Sequence, residues 1–287
     1  MKMHFQKHGW VLVRGIFSPC EIEELRQGVI RSQAEALKGS LLSNPYLNRQ
    51  SVLNDHVLSV VRSILGEDPT YFGDSNWSSG FTPGVIGFHK DNPDKERQDS
   101  PDWMSDYTII RTGIYLQDHS QYSGGLGIRD CSNYTVDTTK GQPIFVPTQV
   151  GDMVLWSLRT THSGFMTRLR LLPNLFIPLS ILSKISRADY SPPKFLFRSL
   201  GRDLRMALFS SYGVLDKHLE RYIKYLCLRR YAVQTWQQSR YSDETKILAQ
   251  KQGLKILDLY EKASQIKLES TYVDHNPNWE GLLGGVL

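Results

Sequence analysis

The chain has 287 residues, 40% hydrophobic and 22% charged. Those proportions exclude a disordered or collagen-like chain and allow one large domain or two small ones. Basic residues exceed acidic ones, 34 to 29, for a net charge of +5, which admits nucleic acid, membrane surfaces or small anions as partners.

The first predicted element is a short strand over residues 10–17, WVLVRGIF, rich in β-formers. Ser18-Pro19-Cys20-Glu21 follows as a capping box with proline at the first helical position. Ile22, Leu25, Val29 and Ile30 then mark one face of a helix. A second helix is expected from Asp55 to Leu65, ended by Gly66. From Tyr71 to Leu172 the pattern changes to short β-rich runs separated by Gly, Pro, Asn and Asp. The clearest strands are Thr108 to Leu116, Ile144 to Val146 and Met153 to Leu158. Strands at that spacing suggest a sandwich or barrel. Residues 173–201 read as a proline-containing connection, and Arg205 to Tyr212 as one more strand. After Gly213 the pattern turns helical. Leu215, Leu219, Tyr222, Ile223 and Leu226 form one face, and Ser242-Asp243-Glu244 opens a last helix with Ile247, Leu248, Leu254 and Leu257 on its apolar side.

Cys20, Cys131 and Cys227 are too few and too far apart for a disulfide framework or a zinc knuckle. That usage fits a reducing interior. The opening MKMHFQKHGW lacks the apolar core of a signal peptide. The longest apolar run, Leu169 to Ile185, is broken by Arg170, Pro173, Asn174 and Pro178, so no membrane span is expected. A cytoplasmic location follows as the expectation.

The segment Gly87-Phe88-His89-Lys90-Asp91-Asn92 carries the chemistry. On a strand, residues i and i+2 share a side, so His89 and Asp91 can aim an imidazole and a carboxylate at one point. His162, in WSLRTTHSG, sits at the end of a predicted strand 71 residues after Asp91. Two histidines and one carboxylate on one face of a metal leave positions open, as in non-heme Fe(II) oxygenases. With eight histidines in the chain, the spacing alone also arises by chance. His218-Leu219-Glu220 is a decoy, since i and i+2 diverge on a helix. It reads as a solvated helix surface. His119, beside Asp118 in a turn, reads as solvent-facing.

Several motifs in order resemble the phytanoyl-CoA dioxygenase family of Fe(II)/2-oxoglutarate-dependent oxygenases. They are FQKHGWVLVRGIFSPCEIEELR, GFHKDNPD, IYLQDHSQYSGGLGIRDCSN and VGDMVLWSLRTTHSG, spread over residues 5–213. One departure is Asp130-Cys131-Ser132-Asn133, where the family usually has Pro-Gly-Ser-His; it reads as a change in a loop near substrate. The resemblance implies a mainly β fold with flanking helices, a double-stranded β-helix of the jelly-roll, cupin-like kind. Residues 1–213 would form the oxygenase barrel and 214–287 a helical extension packed on it. It implies Fe(II) held by His89, Asp91 and His162, with 2-oxoglutarate and O2 as co-substrates. Oxidative decarboxylation to succinate would be coupled to hydroxylation or another oxidation of a small molecule. The acid at Asp91 argues against halogenation, because halogenating relatives carry a small residue there.

Two arginines compete to anchor the far carboxylate of 2-oxoglutarate: Arg205, opening the last predicted strand, and Arg170, eight residues after His162. Trp77, Lys90, Asn92 and Arg129 are candidate substrate contacts, each with an ordinary packing or surface role as the competing explanation. Resolved along the chain, the charge is uneven. Residues 184–287 hold 17 basic and 11 acidic residues against 17 and 18 in the remainder. Aromatics interleave with the basic residues, yet no nucleic-acid module is recognisable. A small, anionic substrate is the expected partner, and nucleic acid is not. The rival readings are a divalent-metal β-barrel enzyme that does not use 2-oxoglutarate and a non-catalytic binding protein of the same fold. The oligomeric state is left open by the sequence.

Overall fold

The chain was analysed as a computed structural model that describes residues 1–35, 40–42, 44–66, 68–80, 87–120, 124–164 and 205–285. Helix α1 (Lys2–His8) precedes strand β1 (Trp10–Val13), and Gly9 makes the turn between them in the left-handed region at φ +78°. A Cβ on Gly9 would lie 2.4 Å from Thr160 Oγ1, so the close approach as well as the turn requires glycine. Helix α2 (Pro19–Ala34) begins with the expected capping box, Ser18 and Glu21 each accepting the other's backbone N–H, an arrangement worth about 1 kcal/mol. Helices α3 (Pro45–Ser51) and α4 (Asp55–Leu65) follow, each capped by an asparagine side chain.

Two sheets form the centre. The larger has the order β1-β6-β3-β8-β2-β9 and is antiparallel except for the last pair. Its members are β2 (Thr70–Gly80), β3 (Ile109–Tyr115), β6 (Met153–Ser157), β8 (Arg205–Gly213) and the two-residue β9 (Lys255–Ile256). The smaller has the order β5-β4-β7, from β4 (Gly127–Arg129), β5 (Pro143–Phe145) and β7 (His162–Ser163). Alternation along the strands gives the larger sheet two apolar faces. Tyr115, Val154, Trp156 and Ala207 pack with Leu126, Ile128 and Val146 from the side of the smaller sheet, so the sheets face each other. Ile110, Ile114, Leu155, Leu208 and Tyr212 join the helices in a second, larger cluster on the opposite face.

After Gly213 come α5 (Lys217–Cys227), α6 (Arg230–Gln238), α7 (Asp243–Lys251) and α8 (Tyr260–Ser264), then 3-10 turns at Leu268–Ser270 and Trp279–Gly285. Leu219, Tyr222, Trp236 and Trp279 belong to the same larger cluster as the sheet residues. Two expectations are corrected. The described residues hold more helix than strand, so the architecture is mixed sheets with flanking helices. Helix α7 also ends at Lys251, and Gly253 at φ +66° turns the chain. Leu254 and Leu257 therefore lie outside the helix, flanking β9, which adds to the edge of the larger sheet beside β2. Among the described residues no helix is long and apolar enough to cross a membrane.

Candidate metal centre

His162 opens β7, where it pairs with Ile128 of β4. On its other side it forms an antiparallel bridge with His89, closed by two N–H···O=C bonds of 2.9 Å each. Two residues 73 positions apart are thus joined directly through the backbone. The Asp91 amide donates to Leu158 O at 3.0 Å, which carries the carboxylate to the same place. His89 Nε2 lies 3.6 Å from Asp91 Oδ1, and His162 Nε2 lies 3.5 Å from Asp91 Oδ2.

The ring nitrogens facing away settle the tautomers. His89 Nδ1 is 2.9 Å from Gly87 O, and His162 Nδ1 is 3.0 Å from Thr160 O. A carbonyl only accepts, so each Nδ1 carries a proton, and in the neutral ring Nε2 would present its lone pair toward Asp91. Backbone carbonyls orient metal-ligating imidazoles in this way. Burial pushes the His162 imidazole down to about 4, so it is neutral at physiological pH. For Asp91, burial favours the neutral acid, but Arg111, His162 and His89 outweigh it and hold the carboxyl well below the usual range.

Arg111 was not anticipated. It stands on β3 opposite Trp156 and Ser211 and points between the sheets. Its Nη1 donates to Asp91 Oδ2 at 2.9 Å and its Nη2 to Asp74 Oδ2 at 2.7 Å. Asp74 also accepts from Ser211 Oγ at 2.8 Å and Tyr222 OH at 3.2 Å. Burial works against the Arg111 charge, but Asp74 and Asp91 more than offset it. The available signal was a lone charge in the apolar run TIIRTGIYL, since a charge inside a sheet needs a partner. A cavity of about 340 Å³ opens beside this pair, lined by Asp74, Asn76, Arg111, Tyr231 and Thr235 among others.

No family model matches the chain, and no curated protein matches it by sequence. Solved structures do match. The non-heme alpha ketoglutarate dependent epimerase SnoN from nogalamycin biosynthesis superposes with a TM-score of 0.50 at 14% identity, over 74% of this chain and 81% of SnoN. EvdMO1 gives 0.50 at 15% identity, over 75% of this chain and 49% of EvdMO1. HygX from Streptomyces hygroscopicus, with nickel and 2-oxoglutarate bound, gives 0.48 at 16%, over 74% and 84%. The chain shares the fold of SnoN and EvdMO1.

Arg205 begins β8 and is 8% exposed. Its Nε donates to Gly124 O at 2.6 Å, its Nη2 to Gly164 O at 2.7 Å and its Nη1 to Ser78 Oγ at 3.3 Å. Gly164 directly follows β7, so this cation borders the strand of His162. Among the described residues no carboxylate pairs with it. Burial lowers its affinity for the proton, and Tyr115 opposes that only in part. Arg170 lies outside the described residues.

The side chains of the four candidate substrate contacts have partners of their own. Lys90 is 1% exposed and turns away from the histidines, donating to Ser132 O at 2.8 Å and Arg159 O at 2.7 Å; burial pushes its ammonium down to about 7. Asn92 is fully buried and donates to Asp102 Oδ2 at 3.0 Å. Trp77 pairs with Leu208 and packs on the helix-side cluster. Arg129 stacks on Phe88 with its guanidinium 4.5 Å from the ring centre and donates to Gly141 O. His119 and His218 are buried rather than solvated. The His119 ring meets Tyr115 edge-on at 5.5 Å, and His218 Nε2 bonds Ser105 Oγ at 2.8 Å. Asp130 and Cys131 pack against helix α1.

Proposed function

We propose that this chain is an Fe(II)/2-oxoglutarate-dependent dioxygenase of the phytanoyl-CoA dioxygenase type, built on a double-stranded β-helix, that oxidises a small molecule. The observation that carries the reading is the His89–Asp91–His162 cluster, with both Nε2 atoms turned toward one carboxylate between two β-sheets. Two imidazoles and one carboxylate, with no thiolate, are the donor set of non-heme Fe(II) oxygenases. The bound iron and 2-oxoglutarate would supply the oxidising chemistry.

The chain's own part is to hold and orient. His89, Asp91 and His162 would ligate the metal through Nε2, carboxylate and Nε2, and Arg111 would keep Asp91 ionised and aimed. A buried cation with no carboxylate partner is costly. That favours Arg205 as the anchor for the far carboxylate of 2-oxoglutarate, with Arg170 the alternative. Trp156, Val154 and Phe209 would exclude water on the sheet side. The cavity beside Arg111, with its amide and hydroxyl lining, suits a small polar substrate. Residues 214–287 read as an extension of the barrel domain, and three free cysteines fit a cytoplasmic setting. SnoN, named for its dependence on alpha ketoglutarate, supports the same reading.

The test is succinate release. Protein reconstituted anaerobically with Fe(II), then given 2-oxoglutarate and oxygen, is expected to form succinate even without its primary substrate, and Asp91→Ala is expected not to. Stoichiometric iron without any succinate would sink the reading in favour of a divalent-metal enzyme that does not use 2-oxoglutarate. Failure to bind Fe(II) would point to a binding protein.

A further inference from the structure

We propose a second metal site, for Zn(II), formed by His8, Asp130 and Cys131. It lies outside the centre described above and does not depend on that reading. Helix α1 supplies His8 from its last turn, and the chain leaving β4 supplies the other two residues. The Cys131 amide donates to His8 O at 3.2 Å and the Asp130 amide to Gln142 O at 2.8 Å, so both segments are fixed by backbone bonds. His8 Nδ1 lies 3.0 Å from Asp130 Oδ2. Cys131 Sγ lies 3.6 Å from His8 Nδ1 and 3.5 Å from Asp130 Oδ2.

These separations fit a tetrahedral ion. With Zn–S of about 2.3 Å and Zn–N and Zn–O of about 2.0–2.1 Å, the sulfur-to-nitrogen and sulfur-to-oxygen edges are each roughly 3.5 Å. Both sulfur edges already have that length, and only the His8–Asp130 pair must open by a few tenths of an ångström. One thiolate, one imidazole and one carboxylate suit borderline Zn(II) better than a hard oxygen-seeking cation. The fourth position falls to water.

The surroundings brace the ligands. Trp10 Nε1 donates to Asp130 Oδ1 at 2.8 Å, as an outer partner orients a ligating carboxylate. The His4 ring stacks on His8 at 4.3 Å and 25°, which holds the plane of the His8 ring. Cys131 is the one non-glycine among the described residues with positive φ, at 58°. That backbone is unfavourable for a side chain, and here it turns the thiol toward His8 and Asp130. A bound ion would clamp helix α1 to the loop containing Ser132.

Cobalt(II) titrated into the full chain tests this, because sulfur is absent from the His89–Asp91–His162 centre. A sulfur-to-cobalt charge-transfer band is expected in the near ultraviolet, saturating at one equivalent of the band-forming site and bleached by Zn(II). It should vanish in Cys131→Ser and in Cys131→Gly, the second of which also relieves the backbone. Trp10→Phe should keep the band and weaken Zn(II) binding by about 10–100-fold. A wild-type protein without the band, or a band that survives in either folded Cys131 variant, overturns the proposal.

Discussion

Arg111 Nη1 stands 2.9 Å from Asp91 Oδ2, so the carboxylate between the two imidazoles is gripped from behind by a cation. The same guanidinium reaches Asp74. Arg111→Ala therefore strands two acids at once. Apo-protein stability is expected to fall by about 3 kcal/mol, the low end for breaking a buried pair because each partner keeps some solvent. Urea denaturation measures it. Arg111→Lys, which keeps the charge but not the fork, should restore part of that stability. It should still bind Fe(II) about 10–100-fold more weakly, as expected for loss of an outer-shell contact.

His162→Ala and His89→Ala would each remove one proposed ligand. Metal analysis after dialysis should find iron lost from the His-Asp-His centre in both, with far-ultraviolet circular dichroism unchanged. Retained iron in His162→Ala would remove this residue from the ligand set.

Acid should weaken the apo-protein through His162. Its folded pKa of about 4 lies below the ordinary 6.5, so the unfolded chain binds the extra proton first. The stabilisation is fully present above pH 6.5 and is lost as pH falls toward 4. The shift corresponds to about 3 kcal/mol. Denaturant midpoints between pH 7 and pH 4 measure it, and His162→Gln should flatten that part of the profile.

Arg205→Ala should raise the 2-oxoglutarate concentration needed for half-maximal succinate release by roughly 10–100-fold, the value of one charged hydrogen-bond pair. Arg170→Ala should change it less. The reverse ranking moves the anchor.

Lys90→Met is expected to leave the 2-oxoglutarate requirement unchanged while costing about 1–3 kcal/mol of stability, because the carbonyls of Ser132 and Arg159 lose their donor in a buried place. Chemical denaturation and steady-state kinetics separate the two effects.

The parts of this molecule that depend on local rules were legible in its sequence. The capping box at Ser18 and Glu21 needs only four residues, and it formed as read. The i, i+2 spacing pointed to His89 and Asp91 and the end of β6 led to His162, although residues 87–92 form no strand and His89 makes only a single bridge, with His162. What escaped depends on partners. Ser-Asn-Trp-Ser-Ser-Gly has the composition of a loop, yet residues 75–80 pair with β8 along their whole length, and that pairing turns Trp77 toward the helices. Arg111 is a lone charge in an apolar strand, and its partners Asp74 and Asp91 come from two other segments. Leu254 and Leu257 extended the helical spacing of α7, but Gly253 stopped the helix first. His119 sits in a turn by sequence and under Tyr115 in space.

Ser132 accepts the Thr161 amide on its hydroxyl at 2.9 Å and the Lys90 ammonium on its carbonyl at 2.8 Å. One residue is therefore tied next to His162 and between His89 and Asp91. A shift of its loop would pull on the segments of His89, Asp91 and His162 together. Arg205 donates to Gly164 O at 2.7 Å, two residues past His162, so the loop, the three proposed ligands and the buried cation form one mechanically connected unit.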